Sequence, residues 1–325
     1  MDTVADLTED ELIASMLPLL PRGDRTVVPA GDDAAVVEAP DGRFCTTTDV
    51  LVEDRHFRRD WGEASDVGWR AAAQNLADVA AMGAEPTSLV VSLVLPAATS
   101  VDWVHGLCRG MAEICGPIGV GVVGGDLSGG QQLVVAVTAH GDLGGRPAVL
   151  RSGARPGDVL AHAGVLGAAA GGYALLEAGV HAGGEQALVS AFLRPAPPLA
   201  AGPRAAAAGA SALMDVSDGL LRDAGRMARA SAVVLDVDDL AATVPGDLER
   251  LADAATRTGQ DPVRWMLTGG EDHGLLAAFP GDVRLPDGFR RIGTVREPAD
   301  HRAGTVLVRG AAPDVGATGW DHFRA

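Results

Sequence analysis

The chain of 325 residues contains no lysine; all 26 of its basic side chains are arginine. That absence removes Schiff-base chemistry, pyridoxal phosphate attachment and the G-x-x-x-x-G-K-[ST] phosphate loop, each of which needs a lysine amine. Aromatic residues make up only 4%, so the core is expected to be built from Ala, Val and Leu. The three cysteines, Cys45, Cys108 and Cys115, show no metal-ligand spacing and cannot all pair. Cys108 and Cys115 stand seven residues apart, which fits one face of a helix and therefore core packing. No apolar run reaches the roughly 18 residues of a membrane span. The opening MDTVADLTED is acidic where a secretory signal is basic, so the expected compartment is the reducing cytoplasm. Acids outnumber basic residues 43 to 26, which argues against nucleic acid as a partner.

Glycine (43) and proline (19) are plentiful and spread along the chain, as in a globular protein with many tight turns. The spacing predicts a first helix capped by Thr8 with Glu11 three residues on. Two more helices are expected over 65–82, with Ser65 as N-cap and Gly83 just past the end, and over 100–115. Around them lie strand-like runs: AAVVE, RFCTTTDV, TSLVVSLVLP, IGVGVVGGD and QLVVAVTAHGD. The second half repeats the mixture, with helices near 166–178, 198–209 and 218–231 and strands near 158–163, 211–215, 232–237, 272–279 and GTVLVRG. This order suggests α+β layers more than a doubly wound sheet. Rising turn density at RSGARPGD divides the chain into domains 1–148 and 149–325.

What stands out is where the aspartates fall. AGDDAAVV places Asp32 and Asp33 side by side among small residues, and TTTDV ends a strand at Asp49 after Thr47 and Thr48. Asn75 and Asp78 share a helix face, VVGGD ends in Gly125 and Asp126, and MDVSDGL offers Asp215, Ser217 and Asp218 before a helix. Carboxylates and hydroxyls without Cys–His pairs suit Mg²⁺, which takes oxygen ligands and bridges to substrate phosphates. Taken singly, each has an ordinary reading: Asp126 an Asx turn, Asp78 a solvent-facing acid, Asp218 the cap of the helix after it. Capping does not account for Asp33, Asp49 and Asp126 together. His56 is either a surface histidine or a phosphate donor, and Arg151 is one arginine among 26 unless it meets a phosphate. LTGGEDHGLL presents Glu271 and Asp272 as two exposed acids after a pair of glycines. Trp320 reads as core, with stacking on a cationic ring as the alternative.

In order, AGDDAAVV, TTDVLVEDRHF, NLADVAAMGAEP, GVVGGD, RSGARPGD, MDVSDGL, LTGGEDH and GWDHF resemble the thiamine-monophosphate kinases, from about residue 8 to residue 323. The resemblance implies a two-domain, aminoimidazole ribonucleotide synthetase-like α+β fold without a phosphate loop, dimerising through the N-terminal sheet. It implies an N-terminal ATP- and Mg²⁺-binding domain and a C-terminal domain that completes the active site. Asp33, Thr47, Thr48, Asp49, Asp78, Asp126, Asp215 and Asp218 match magnesium positions. Gly125, Arg151 and Ser217, with Asp126, match ATP contacts, and His56, Glu271 and Trp320 match positions around thiamine monophosphate. Asp49, Asp126 and Asp218 would be catalytic. The implied reaction moves the γ-phosphoryl group of ATP onto thiamine monophosphate, giving thiamine diphosphate. Departures are Asp54 and Arg55, where a glycine and a small residue are common, and His273 and Gly274, where Tyr and Glu are common. Selenophosphate synthetase is disfavoured by the missing lysine and N-terminal cysteine, and the hydrogenase-maturation dehydratase by the ending HFRA. Aminoimidazole ribonucleotide synthetase is the nearest enzymatic alternative, opposed by GWDHF and LTGGEDH, and a non-catalytic sensor is opposed by the complete set of acids.

Overall fold

In the computed structural model, which describes residues 2–30, 34–180, 186–299 and 301–320, the chain divides into two units. The first comprises Met1–Val79 and Glu85–Gly145, the second Ala80–Ala84 and Arg146–Ala325. The changeover at Gly145–Arg146 lies close to the expected 148/149, but the short segment Ala80–Ala84 belongs with the second unit. Packing explains it: Ala81 shares a cluster with Ala201 and Ala205, and the Val149 N–H donates to the Met82 carbonyl at 3.1 Å.

In the first unit α1 (Glu9–Met16) opens at Thr8 as expected. The Thr8 hydroxyl accepts the Glu11 N–H at 3.3 Å while the Glu11 carboxylate accepts the Thr8 N–H at 2.8 Å, a reciprocal capping box. The short strands β1 (Thr26–Val28) and β2 (Val36–Val37) pair antiparallel. Then come β3 (Cys45–Val52), α2 (Ala64–Ala81), β4 (Glu85–Leu95), α3 (Val101–Cys115), β5 (Gly121–Gly129) and β6 (Val134–Asp142). The four longer strands form one sheet in the order β3-β6-β4-β5. Only β4 and β5 run parallel, and α3 is the crossover that parallel neighbours require. Helix α2 starts one residue before the expected cap, because the Asp66 carboxylate takes the Glu63 N–H at 2.8 Å; Ser65 lies inside the helix. Strands β3 and β5 run on past Asp49 and Asp126, since each still has a ladder partner, Asp49 with Val137 and Asp126 with Ser92.

Helices α2 and α3 approach through glycine. A Cβ on Gly110 would stand 1.8 Å from the Ser65 carbonyl oxygen, and one on Gly68 would stand 1.9 Å from that of Leu107. Cys108 and Cys115 are buried on α3, and burial pushes both thiols up to about 12. They are core residues, as their spacing suggests.

The second unit holds β7 (Val159–Ala163), α4 (Ala168–Glu177), α5 (Gln186–Leu193), α6 (Ala201–Ala207), β8 (Ala212–Val216), α7 (Leu220–Ser231), β9 (Val234–Val237), α8 (Leu240–Thr243), α9 (Pro245–Thr258), α10 (Pro262–Thr268), β10 (Gly274–Phe279), β11 (Phe289–Arg296) and β12 (Val306–Val308). Its six strands lie in the order β12-β9-β11-β7-β10-β8, antiparallel except β12 with β9. Strand β11 escapes sequence reading because a register shift between Arg291 and Gly293 breaks its alternation. Among the described residues the larger cluster of this unit is built from Ala, Val, Leu, Met and one Ile, with Trp265 as its single buried aromatic. No helix among the described residues is long and apolar enough to cross a membrane.

The close approach of α2 and α3 yields a stability prediction. Gly110→Ala is expected to cost roughly 1–3 kcal/mol by overpacking. Gly116→Ala, where a Cβ meets nothing within 4 Å, should fall within about 0.5 kcal/mol of the parent. Urea unfolding of the two variants checks the difference.

Candidate functional site

Alternation along β3 separates the two threonines. Thr47 Oγ1 donates to Asp78 Oδ2 at 2.8 Å, tying β3 to α2. Thr48 turns to the next strand instead, donating to the Val137 carbonyl at 3.0 Å and accepting from the Thr138 hydroxyl at 3.2 Å. Asp49 falls two residues after Thr47 and, like it, is half-buried, whereas Thr46, Thr48 and Val50 are exposed. The side chains of Thr47, Asp49 and Asp78 therefore belong to one side of the sheet, and the Thr48 hydroxyl does not. Asn75, one turn before Asp78, is fully buried, and its amide donates to the Ala71 carbonyl. Asp32 and Asp33 lie outside the described residues.

On β5 the two glycines have different reasons. A Cβ on Gly125 would stand 1.9 Å from the Val91 carbonyl oxygen, so the packing of β4 against β5 demands glycine there. A Cβ on Gly124 would meet nothing within 4 Å; this is the position with room for a ligand against the backbone. Asp126 follows, exposed.

His56 ends a short turn after β3. Its Nδ1 accepts the Val52 N–H at 3.0 Å. The neutral ring therefore carries its proton on Nε2, leaving that nitrogen as a donor. Asp54 sits at φ 63°, the left-handed region that glycine favours and aspartate tolerates. Glycine would favour this same left-handed region, so the departure at Asp54 is compatible with it.

In the second unit three of the quoted segments meet at one turn. The Ser217 carbonyl accepts the Glu271 N–H at 2.8 Å, and the Asp218 carbonyl accepts the Trp320 N–H at 2.9 Å. Only glycine permits these approaches. A Cβ on Gly270 would stand 2.4 Å from the Ser217 carbonyl oxygen, and one on Gly319 would stand 2.2 Å from that of Asp218. MDVSDGL, LTGGEDH and the start of GWDHF are thus brought together, with Asp215 at the end of β8 beside them in sequence. Trp320 is 42% exposed, so it is not the core residue its type suggests. Arg151 is exposed, and its carbonyl accepts the Ser231 hydroxyl at 2.9 Å.

Asp272 corrects a second expectation: it is buried, not exposed. Its carboxylate accepts the Gly167 and Ala169 N–H groups, holding the GGED segment against the start of α4. Glu271 (φ 70°) and His273 (φ 51°) flank it in left-handed conformations, a strain characteristic of ligand-binding loops. Burial pushes Asp272 up to about 7, although both N–H groups and the charge of His273 pull the other way. Gly274 is also explained: a Cβ there would stand 2.3 Å from His162 Nε2. His162 is fully buried and is driven down to about 3, first by burial and then by the charge of Arg290.

Two residues outside the quoted set support the turn. Asp223 Oδ2 accepts the Ser217 and Asp218 N–H groups at 3.1 and 2.9 Å, and Arg226 bridges Asp223 and Asp218. Burial raises Asp223 to about 6, with Asp215's charge adding to it. The signal was in the sequence. Asp223 falls in helical register with Leu220, Ala224 and Met227 on the buried face of α7, where a carboxylate needs a purpose.

Among the described residues no three His, Cys, Asp or Glu side chains stand close enough to hold a metal ion by themselves. The donors present are oxygens in ones and twos, the set that Mg²⁺ completes with water and substrate phosphates.

The description "AIR synthase related protein, N-terminal domain" matches residues 31–143, and "AIR synthase related protein, C-terminal domain" matches residues 155–283. The thiamine-monophosphate kinase of Mycobacterium tuberculosis is 50% identical over 294 residues, covering 90% of this chain and 85% of that one. That of Corynebacterium glutamicum is 43% identical over 274 residues, covering 82% and 80%. Among solved structures, AaThiL complexed with AMPPCP and TMP superposes with a TM-score of 0.78 at 31% identity, covering 97% of this chain and 96% of that one. The thiamine-monophosphate kinase from Stenotrophomonas maltophilia gives 0.75 at 31% identity, covering 94% and 96%. Hydrogenase maturation protein HypE, at 20% identity and 0.72, shares the fold.

The buried carboxyl of Asp272 predicts a pH effect. The folded chain keeps its proton to about 7, while the unfolded chain gives it up near the ordinary value of 3.8. Its contribution to stability is therefore full below that window and is lost as pH rises through it. His162 contributes the opposite slope, so the comparison with Asp272→Asn isolates the effect. Between about pH 5 and about pH 8, the melting temperature of Asp272→Asn is expected to fall less than the parent's.

Proposed function

The chain belongs to the AIR synthase related family and, within it, to the thiamine-monophosphate kinases, and from that premise we propose how its residues divide the work. It transfers the γ-phosphoryl group of ATP to thiamine monophosphate, giving thiamine diphosphate and ADP. The observation that carries this reading is the likeness, over 97% of the chain, to a structure complexed with AMPPCP and TMP.

The acceptor is a phosphate oxygen that is already anionic, so no strong general base is needed. A bond forms from that oxygen to the γ-phosphorus as the bond to the β,γ-bridging oxygen breaks, and ADP leaves. The obstacle is repulsion between two anions, and catalysis is a matter of alignment and charge. His56 Nε2–H donates to the phosphate of thiamine monophosphate. Glu271, whose side chain is 37% exposed, faces the cationic thiamine, and Trp320 offers an exposed ring for stacking, worth about 1–2 kcal/mol when desolvated. Ser217 and Arg151 take the nucleotide, Arg151 as a two-pronged donor. Gly125, with Gly124 open beside it, lets the phosphates approach the backbone.

The oxygen donors fit Mg²⁺. Thr47, Asp49 and Asp78 on one side of the first unit's sheet, Asp126 on β5, Asp33, and Asp215 and Asp218 in the second unit would hold ions; the Thr48 hydroxyl, turned to the other face and bonded there, would not. When bound, Mg²⁺ supplies the positive charge that offsets the gathered phosphates. Asp49, Asp126 and Asp218 would carry the catalytic metal and nucleotide contacts.

Two further readings belong to the same proposal. The sheet face carrying Thr46, Thr48 and Val50 includes an apolar side chain, Val50, that is 46% exposed. It supports pairing of two copies through this sheet. The compartment proposed is the cytoplasm, in keeping with unpaired cysteines.

A turnover assay with ATP, Mg²⁺ and thiamine monophosphate is expected to give thiamine diphosphate, and with thiamine alone to give none. No thiamine diphosphate from folded protein would end the proposal. Asp49→Asn should lower kcat by roughly 10²–10³ or more while the circular dichroism spectrum is kept. A rate like the parent's would remove Asp49 from the metal site.

A further inference from the structure

Asp223 lies one turn into α7 with its side chain wholly buried (0%). A carboxylate so placed must be fully paired, and it is. One oxygen accepts the Ser217 and Asp218 N–H groups; the other receives Arg226 Nη1 at 2.5 Å. The same guanidinium sends Nη2 to Asp218 Oδ2 at 2.6 Å. Asp218 is therefore gripped twice by one pair of residues, at its main-chain N–H by Asp223 and at its carboxylate by Arg226. Arg222 also addresses Oδ2, at 3.6 Å. Both arginines thus lie on one oxygen of Asp218, which orients its other oxygen, Oδ1. A lysine cannot reproduce this bridge, because a single ammonium does not present two parallel prongs to two carboxylates.

We propose that Asp223 and Arg226 are positioning residues for the phosphoryl transfer. Arg226 acts through the carboxylate of Asp218, and Asp223 acts through the main chain of the Ser217–Asp218 turn. This rests on the assignment of Asp218 to the metal–nucleotide side given above. When Arg226 is removed, Asp223 still accepts the Ser217 and Asp218 N–H groups, so the turn that carries Glu271 and Trp320 keeps its main-chain anchor. The fork geometry, and not charge alone, is what the position requires.

A double-mutant cycle tests it, with steady-state kinetics and thermal melts on the full-length Arg226→Ala, Arg226→Lys, Asp218→Asn and Asp218→Asn/Arg226→Ala proteins. Arg226→Ala is expected to lower kcat about tenfold or more, with KM for thiamine monophosphate held within about twofold. Arg226→Lys should fall between it and the parent. In the Asp218→Asn background, Arg226→Ala should add less than about twofold, since a residue acting through another loses its effect when that other is gone. If Asp218→Asn is impaired while Arg226→Ala matches the parent, the inference is overturned and the reading of Asp218 stands. A parent-like Asp218→Asn overturns that reading itself. Losses that multiply in the double variant assign Arg226 to a different task and also overturn the inference. Should Arg226→Ala fail to fold, Arg226→Lys decides: a kcat loss of about threefold or more supports the inference, and parent-like kinetics contradict it.

Discussion

Ser217 and Asp218 offer their backbone groups in several directions at once. Their N–H groups go to Asp223, the Ser217 carbonyl takes the Glu271 N–H, and the Asp218 carbonyl takes the Trp320 N–H. Segments some fifty and a hundred residues further along the chain are thereby fixed by main-chain contact to one turn. Because main-chain atoms are the partners, nearby side chains must be absent, and Gly270 and Gly319 meet that condition. The proposed nucleotide contact at Ser217 and the thiamine contacts at Glu271 and Trp320 are placed by this arrangement. Their own side chains need not be packed in order to be positioned.

The lack of lysine shapes the electrostatics throughout. A net charge of −17 has to be managed with arginine alone, and arginine bridges where lysine would make a point contact. Arg226 joins Asp218 to Asp223 through its two separate Nη atoms. Carboxylates that would repel are held within reach of one guanidinium. The remaining charge problem, two phosphorylated ligands brought together, is the one that the proposed Mg²⁺ ions would meet. Arginine forks within the chain, with metal ions proposed for the ligands, are the division of labour these residue types allow.

Much of this was legible in the sequence. Thr8 and Glu11 announced the first cap, and the helical spacing of Cys108 and Cys115 announced core packing. Other parts were hidden for physical reasons. The glycines before Asp126 look like a strand end, but β5 continues because β4 still supplies ladder partners. Asp272 reads as a surface acid until α4 brings its N–H groups to it. Trp320 reads as core because aromatic rings usually are, yet it is 42% exposed, its main chain being held at Asp218. Asp223 was visible as an acid on an apolar helix face, yet its partners lie before the helix, where periodicity does not reach.

The central claim is that the 217–218 turn, the GGED segment and the chain at Trp320 form one structural element. Native-state amide exchange tests it most directly. The account predicts that the amides of Asp218, Glu271 and Trp320 open together, with opening free energies equal within about 1 kcal/mol, and that Gly319→Val lowers all three in parallel. Exchange at Trp320 that is orders of magnitude faster than at Asp218, or a Gly319→Val effect confined to the C-terminal segment, would contradict it.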